Sequence, residues 1–233
     1  MRGGERHQFP LKAVEVQSST GGDVGDVPRR EHALALGGAA GLARLGRVIL
    51  GGPGYYQITN AGLAVIGSDL PPPHLHPDGW RHDLSAAWVW VAGARGTFGP
   101  VDRVLSQREM RAHGAAPTTA TRDDERIEHP FGVRVASTVT GKPTALHYPD
   151  VLLITPQHER VAIELVLSSN GQQRLETTLA GYGADPTIEA VLYLAENPAI
   201  RHNIKRTAER LGISDRIRVQ ELATRRGTPA TRG

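Results

Sequence analysis

Residues 147–167 read HYPDVLLITPQHERVAIELVL. Two apolar runs flank the polar stretch Pro156-Gln157-His158-Glu159, and each run has the length of a strand. The pattern predicts a strand over 148–155, a turn, and a buried strand over 161–167, paired as antiparallel neighbours. Each strand carries one carboxylate, Asp150 at the start of the first and Glu164 in the middle of the second. Cross-strand pairing would bring both onto one face. Two carboxylates that close repel unless a cation bridges them, and hard oxygen ligands of this kind suit Mg²⁺. Such an ion activates water and neutralises charge developing on a phosphodiester. The plainer alternative for Asp150 is a strand-entry residue that bonds a turn amide. Glu164 is harder to dismiss, because a carboxylate inside the apolar run Val161–Leu167 is costly unless paired or metal-bound.

Downstream, Leu175, Leu179 and Tyr182 recur at helical spacing and predict a helix over 174–182. Residues 188–194 read as a third strand. Pro198 opens a helix that Gly212 stops, and 217–222 reads as a last strand. The order β-β-α-β-α-β argues for an α/β sandwich.

Upstream the signals are shorter. Residues 1–30 are rich in Gly, Ser and charge and read as loop or disorder. Over 31–50, Leu34, Leu36, Leu42, Leu45, Val48 and Ile49 supply an apolar helical face. Gly51-Gly52-Pro53-Gly54 is a turn, 55–58 a short strand, and Thr59 or Asn60 caps a helix over 61–66. Pro71-Pro72-Pro73 marks a boundary, 83–92 is helix-compatible, and Ser106 caps a helix carrying Glu109. Residues 114–130 read as a polar loop.

Among the 233 residues, 39% are hydrophobic and 22% charged, ordinary for a globular protein. Cysteine is absent, which excludes disulfides and thiolate metal sites. No run approaches the roughly 18 apolar residues of a membrane span and the first residues have no hydrophobic signal core, so a cytoplasmic protein with no membrane partner is the expectation. Charge is unevenly spread: residues 141–200 hold three Lys or Arg against seven Asp or Glu, and residues 201–233 hold nine against three. An acidic segment followed by a basic one suits a metal site beside a phosphate-contacting surface, and equally a solvated basic helix with a tail.

Tyr148-Pro149-Asp150 followed by Ile163-Glu164-Leu165-Val166 resembles the Pro-Asp…Glu-x-Lys signature of PD-(D/E)XK nucleases. The helix and strand after the Glu strand match that layout. Within the superfamily the chain resembles the replication-relaxation proteins of plasmids and other bacterial mobile elements. That resemblance also draws on Leu42–Gly46, Gly54–Gly62, His82-Asp83-Leu84, Ser106–Arg111, His147–Asp150 and Ala162–Leu175. It implies an α/β, restriction-endonuclease-like PD-(D/E)XK core over 101–222 and a small, partial winged-helix-like module over 31–70. Residues 71–100 would be a linker and helix, and 223–233 a basic tail. Asp150 and Glu164 would hold Mg²⁺, Glu109 would be the extra helix glutamate, and Arg174 would contact phosphate. DNA would be the partner. Its backbone would be met by Arg44 and Arg47 in the module and by Arg201, Lys205, Arg206 and Arg210 after the acidic segment.

The motif lysine is replaced by Val166. On a strand, residue i+2 shares the face of residue i, so a lysine there would reach the same metal-bound water and a valine cannot. Arg174 is the only cation of the Gln172-Gln173-Arg174 stretch and stays protonated, which suits clamping a phosphate rather than acting as a base. Three readings stand: a Mg²⁺-dependent nuclease, a non-catalytic DNA-binding or regulatory protein on the same fold, and a protein-interaction module without nucleic acid.

Overall fold

The computed structural model describes residues 15–16, 41–46, 55–73, 78–115, 130–137, 144–169 and 171–224. These fall into two compact units, the smaller holding the described residues from 41 to 84 and the larger those from 85 to 224 together with 15–16. Among the described residues no helix is long and apolar enough to cross a membrane.

In the smaller unit, strand β2 (Ala43–Gly46) pairs antiparallel with β3 (Tyr55–Ile58), and helix α1 (Asn60–Val65) follows. The turn at 41–42 and the strand at 43–46 depart from the helix expected over 31–50; residues 31–40 and 47–50 lie outside the described residues. Gly41 takes φ 71°, a backbone conformation that interrupts a helix, and the following residues find hydrogen-bond partners across the hairpin instead. Thr59 is the N-cap: its Oγ1 accepts from the Gly62 amide at 3.2 Å and donates to the Gly41 carbonyl at 2.6 Å. A side chain at Gly62 would collide with the Leu42 carbonyl, so helix and strand meet there backbone to backbone.

The larger unit is α/β, as its element order implies. Helix α2 (Trp80–Ala94) leads into it, followed by β4 (Arg103–Ser106) and α3 (Gln107–Ala115). Strands β5 (Val133–Ala136) and β6 (Thr144–His147) form a separate antiparallel pair. Next come β7 (Val151–Ile154), β8 (Arg160–Val166), α4 (Gln172–Ala184), β9 (Ile188–Ala195), α5 (Pro198–Arg210) and β10 (Ile217–Glu221). A two-residue parallel pair joins β1 (Glu15–Val16) to β11 (Ala223–Thr224). The main sheet runs β10-β9-β8-β7-β4, with β7 antiparallel to both its neighbours β4 and β8, and β8, β9 and β10 parallel.

The strand expected over 148–155 begins only at Val151, and Thr144–His147 is a strand of its own. Pro149 has no amide to donate to a ladder, so the chain breaks there and passes from the β5–β6 pair into the main sheet. Gln107 holds the break: its side-chain amide donates to the Tyr148 carbonyl at 3.0 Å and its backbone amide to that of Asp150 at 3.2 Å.

Strand β8 is buried on both faces, which explains its nearly continuous apolar sequence. Val161, Ile163 and Leu165 pack with Val151, Leu153, Leu192 and Leu194 under Val89 of α2. Ala162 and Val166 face the other way, into a core with Leu152, Tyr193, Met110 of α3, Leu179 and Tyr182 of α4, and Ile204 of α5. Alternation puts Glu164 on this second face, beneath α4.

Helix α4 also carries the β5–β6 pair at close range. A Cβ at Gly181 would lie 2.6 Å from Val135 Cγ1 and 2.8 Å from the Arg134 carbonyl. Gly181→Ala should therefore destabilise the protein by about 1–3 kcal/mol, the usual range for overpacking against a fixed backbone. Urea denaturation is the check; an unchanged midpoint would mean that the β5–β6 pair does not press on α4.

Candidate functional site

The β7–β8 register pairs Val151 with Ile163, so the next residues outward, Asp150 and Glu164, stand opposite each other across the hairpin. By alternation both project to the α4 side of the sheet. Asp150 is 9% exposed and Glu164 8%. The structure thus brings together two nearly buried carboxylates that lie fourteen positions apart in the sequence.

Protein donors already engage both. Asp150 Oδ2 accepts the Leu165 amide at 2.8 Å. Glu164 Oε1 lies 2.6 Å from His147 Nε2 and also accepts the Tyr182 hydroxyl. His147 comes from the end of β6 and Tyr182 from α4, and their rings meet edge to face with centroids 5.8 Å apart. Tyr193 neighbours Glu164 in the β8–β9 register. It is 2% exposed, and its hydroxyl has no hydrogen-bond partner among the described residues.

Burial, with a smaller push from the Asp150 charge, raises the Glu164 carboxyl above its ordinary range, against the opposing pull of His147 and Tyr182. Burial also acts to lower His147, but the Glu164 charge and hydrogen bond, with help from Asp150, outweigh it and leave the imidazole raised. Arg174 acts weakly in the lowering direction. Burial first, and the Glu164 charge second, push the Tyr182 and Tyr193 hydroxyls well above their usual range, so both remain protonated donors.

The other expected site residues are dispersed. Glu109 belongs to a capping box at the start of α3: its Oε2 accepts from the Ser106 amide and hydroxyl, each at 2.7 Å, and its own amide donates back to Ser106 Oγ at 3.3 Å. Arg174 is exposed on the first turn of α4. On α5, Arg201 donates to the Ala195 and Glu196 carbonyls at 3.0 and 2.8 Å and lies 3.4 Å from the Glu221 carboxylate. Arg210 pairs with Glu176 of α4 at 2.5 Å. Lys205 and Arg206 are exposed. Arg44 of β2 donates to Gln57 Oε1 at 2.9 Å, and Arg47 lies outside the described residues.

Mg²⁺ takes a near-octahedral shell of oxygens. Here Glu164 Oε1 is taken up by two protein donors, Asp150 Oδ2 by a backbone amide, and the position two residues past Glu164 is the buried apolar Val166. No group of three His, Asp or Glu among the described residues is placed to hold a metal. The residues as arranged do not fit the ion. They form an internal acid–imidazole–phenol network instead.

In the sequence His147 stands out only as part of the stretch His147–Asp150 that carries the resemblance, and Tyr182 only as an apolar position of a helix. The signal that could have found them is compensation: a carboxylate in the middle of a buried strand requires donors from elsewhere in the chain. Comparison with known protein families, with characterised proteins and with solved structures finds no match for this chain.

The network has a pH signature. His147 and Glu164 both have folded-state values above their ordinary 6.5 and 4.5. A raised value means that the folded state holds its proton more tightly, so the stabilisation is complete below the ordinary value and is lost as pH rises through the folded one. The melting temperature should fall as pH rises above 6.5, the ordinary histidine value. A His147→Gln/Glu164→Gln double variant should show a flatter profile. Equal slopes in the two proteins would exclude a charged His147–Glu164 pair.

Proposed function

We propose that this chain is a non-catalytic DNA-binding protein on a PD-(D/E)XK-like core, acting in the replication or transfer of plasmids or other mobile elements. The observation that carries the reading is the convergence of two nearly buried carboxylates, Asp150 and Glu164, at the end of the β7–β8 ladder. The helix α4 that follows, and β9 laid parallel beside β8, agree with the layout that the resemblance implies. The β2–β3 hairpin leading into α1 agrees with the wing end of a winged-helix module.

Two observations weigh against catalysis. Val166 presents an apolar side chain where the motif has its cation, and it is packed into the core with Leu179 and Ile204. Glu164 is committed to His147 and Tyr182. A phosphodiester in this reading is bound and not cut. The exposure of Lys205 and Arg206 on α5 and of Arg174 on α4 supports them as the residues that would meet it, whereas Arg201 and Arg210 are engaged in ion pairs with Glu221 and Glu176.

The test is a salt titration of binding to duplex and single-stranded DNA. Affinity should fall steeply with salt, and a Lys205→Ala/Arg206→Ala variant should lower the log–log slope by about two, one for each phosphate contact removed. Incubation with Mg²⁺ or Mn²⁺ should give no cleavage above that of Asp150→Ala. Cleavage that Asp150→Ala abolishes would establish the nuclease reading, and the absence of salt-dependent binding would leave the protein-interaction reading.

A further inference from the structure

A sheet ends in two strands whose outward backbone groups need partners. At the β4 edge side chains supply them: Trp90 Nε1 donates to the Val104 carbonyl at 3.2 Å, and Glu109 accepts from the Ser106 amide at 2.7 Å. The β10 edge differs. The Val191 amide donates to the Arg216 carbonyl at 2.9 Å and the Leu222 amide to the Ala195 carbonyl at 3.2 Å. Residues 216, 218, 220 and 222 therefore turn their backbone groups to β9, and Ile217, Val219 and Glu221 turn theirs outward. Among the described residues no strand pairs with that edge of β10. Only Leu222 separates β10 from β11, and Ala223 is the next outward residue in the alternation. The parallel pairing of β1 with β11, Glu15 with Ala223 and Val16 with Thr224, thus lies on the same outer side, in line with the open edge.

We propose that the outer edge of β10 is the docking site of the chain's own segment 11–14, laid parallel to β10 as a continuation of β1. That segment lies outside the described residues and reads Leu11-Lys12-Ala13-Val14. Carried backward, the β1 register sets Val14 opposite Leu222, Lys12 opposite Gln220 and Leu11 opposite Val219. Apolar residues then meet apolar ones, and the lysine meets a polar side chain. Val219 packs against the core that α4 and α5 cover, and Leu222 lies in the core on the α2 side. A slip of one residue either way sets Leu11 opposite Gln220 or Lys12 opposite Val219. In the matched register the amides of Lys12 and Val14 point at the outward carbonyls of Val219 and Glu221. The next residue to point the same way is Pro10, which has no amide. It falls at the Ile217 carbonyl, which already accepts from the Arg218 side chain at 3.3 Å. The ladder stops where the segment has no donor left and the edge needs none. A strand of another chain reaches this edge only by displacing the segment.

The experiment is a proline scan of the full chain, read by melting temperature. Lys12→Pro and Val14→Pro each delete an amide aimed at β10 and should lower the melting temperature by about 2–4 °C. Ala13→Pro deletes an amide that faces away and should change it by less than about 1 °C. The chain has no cysteine, so an introduced pair reports alone. Under mild oxidation Ala13→Cys/Glu221→Cys, at register partners, should form a disulfide within one chain, and the off-register Ala13→Cys/Val219→Cys should not. The cysteine pairs decide the matter if a proline variant fails to fold. Equal melting temperatures for the three proline variants overturn the proposal. So does a register pair that stays reduced or links two chains, or equal cross-linking of both pairs.

Discussion

A glutamate in the middle of a strand that is covered on both faces imposes a demand that the nearby sequence cannot meet. Glu164 sits between Ile163 and Leu165, each buried against the α2 layer, and the strand offers its carboxylate nothing. The donors come from distant elements: His147 from β6 and Tyr182 from α4, with Asp150 facing it across the hairpin and Tyr193 beside it on β9. Their convergence has a structural consequence. The β5–β6 pair is not part of the main sheet. It is held against the domain by the His147–Glu164 contact, by Gly181 closing on Val135, and by Val133 in the core. The polar centre and the position of that pair are therefore one problem with one solution.

The parts of this arrangement that sequence could disclose are those fixed by local chemistry. Strands β8 and β9 announce themselves as apolar runs, Pro198 and Gly212 bracket α5, Thr59 caps α1, and Ser106 with Glu109 opens α3. In each case the determinant lies within a few residues of the feature. The facing of Asp150 and Glu164 was legible for the same reason, since a short turn fixes the register of the hairpin. Strands β4, β5 and β6 were not. Each has four residues, and β6 is almost wholly exposed, so alternation has too little length to declare itself. Ala43–Gly46 misled in the opposite direction: leucine-rich neighbours suggested a helix, and only pairing with Tyr55–Ile58 makes it a strand. The partners of Glu164 were out of reach because they are long-range. A tyrosine on the apolar stripe of a helix looks the same in sequence whether or not its hydroxyl meets a carboxylate.

Charge counting was similarly blind to use. Residues 201–233 hold nine cations against three anions, which reads as a surface for phosphate. Among the described residues the structure engages several of them within the fold. Arg201 ties α5 to the carboxyl ends of β9 and β10, Arg210 crosses to Glu176 on α4, and Arg216 donates to the carbonyls of Gly183, Asp185 and Ile188. A polar seam of Gln172, Glu176, Asn203 and Thr207 continues the α4–α5 contact. The cations left for a partner are fewer than the composition suggests, and net charge of a segment is a poor measure of its affinity for a polyanion until such internal commitments are subtracted.

Replacing a buried ionic network with apolar side chains of similar size is often neutral or stabilising, so its stability contribution alone gives little reason to keep one. Specificity gives a better reason. The β5–β6 pair meets α4 through Val133 and Val135, a surface that apolar packing alone would let slide. A single short contact from His147 to Glu164, with Tyr182 closing from above, fixes where it stops. The same contact uses the Glu164 oxygen that a metal would need, and Val166 has no lysine to lose by it. Anchoring of the β5–β6 pair and the absence of an assembled cation site are then two consequences of one hydrogen bond.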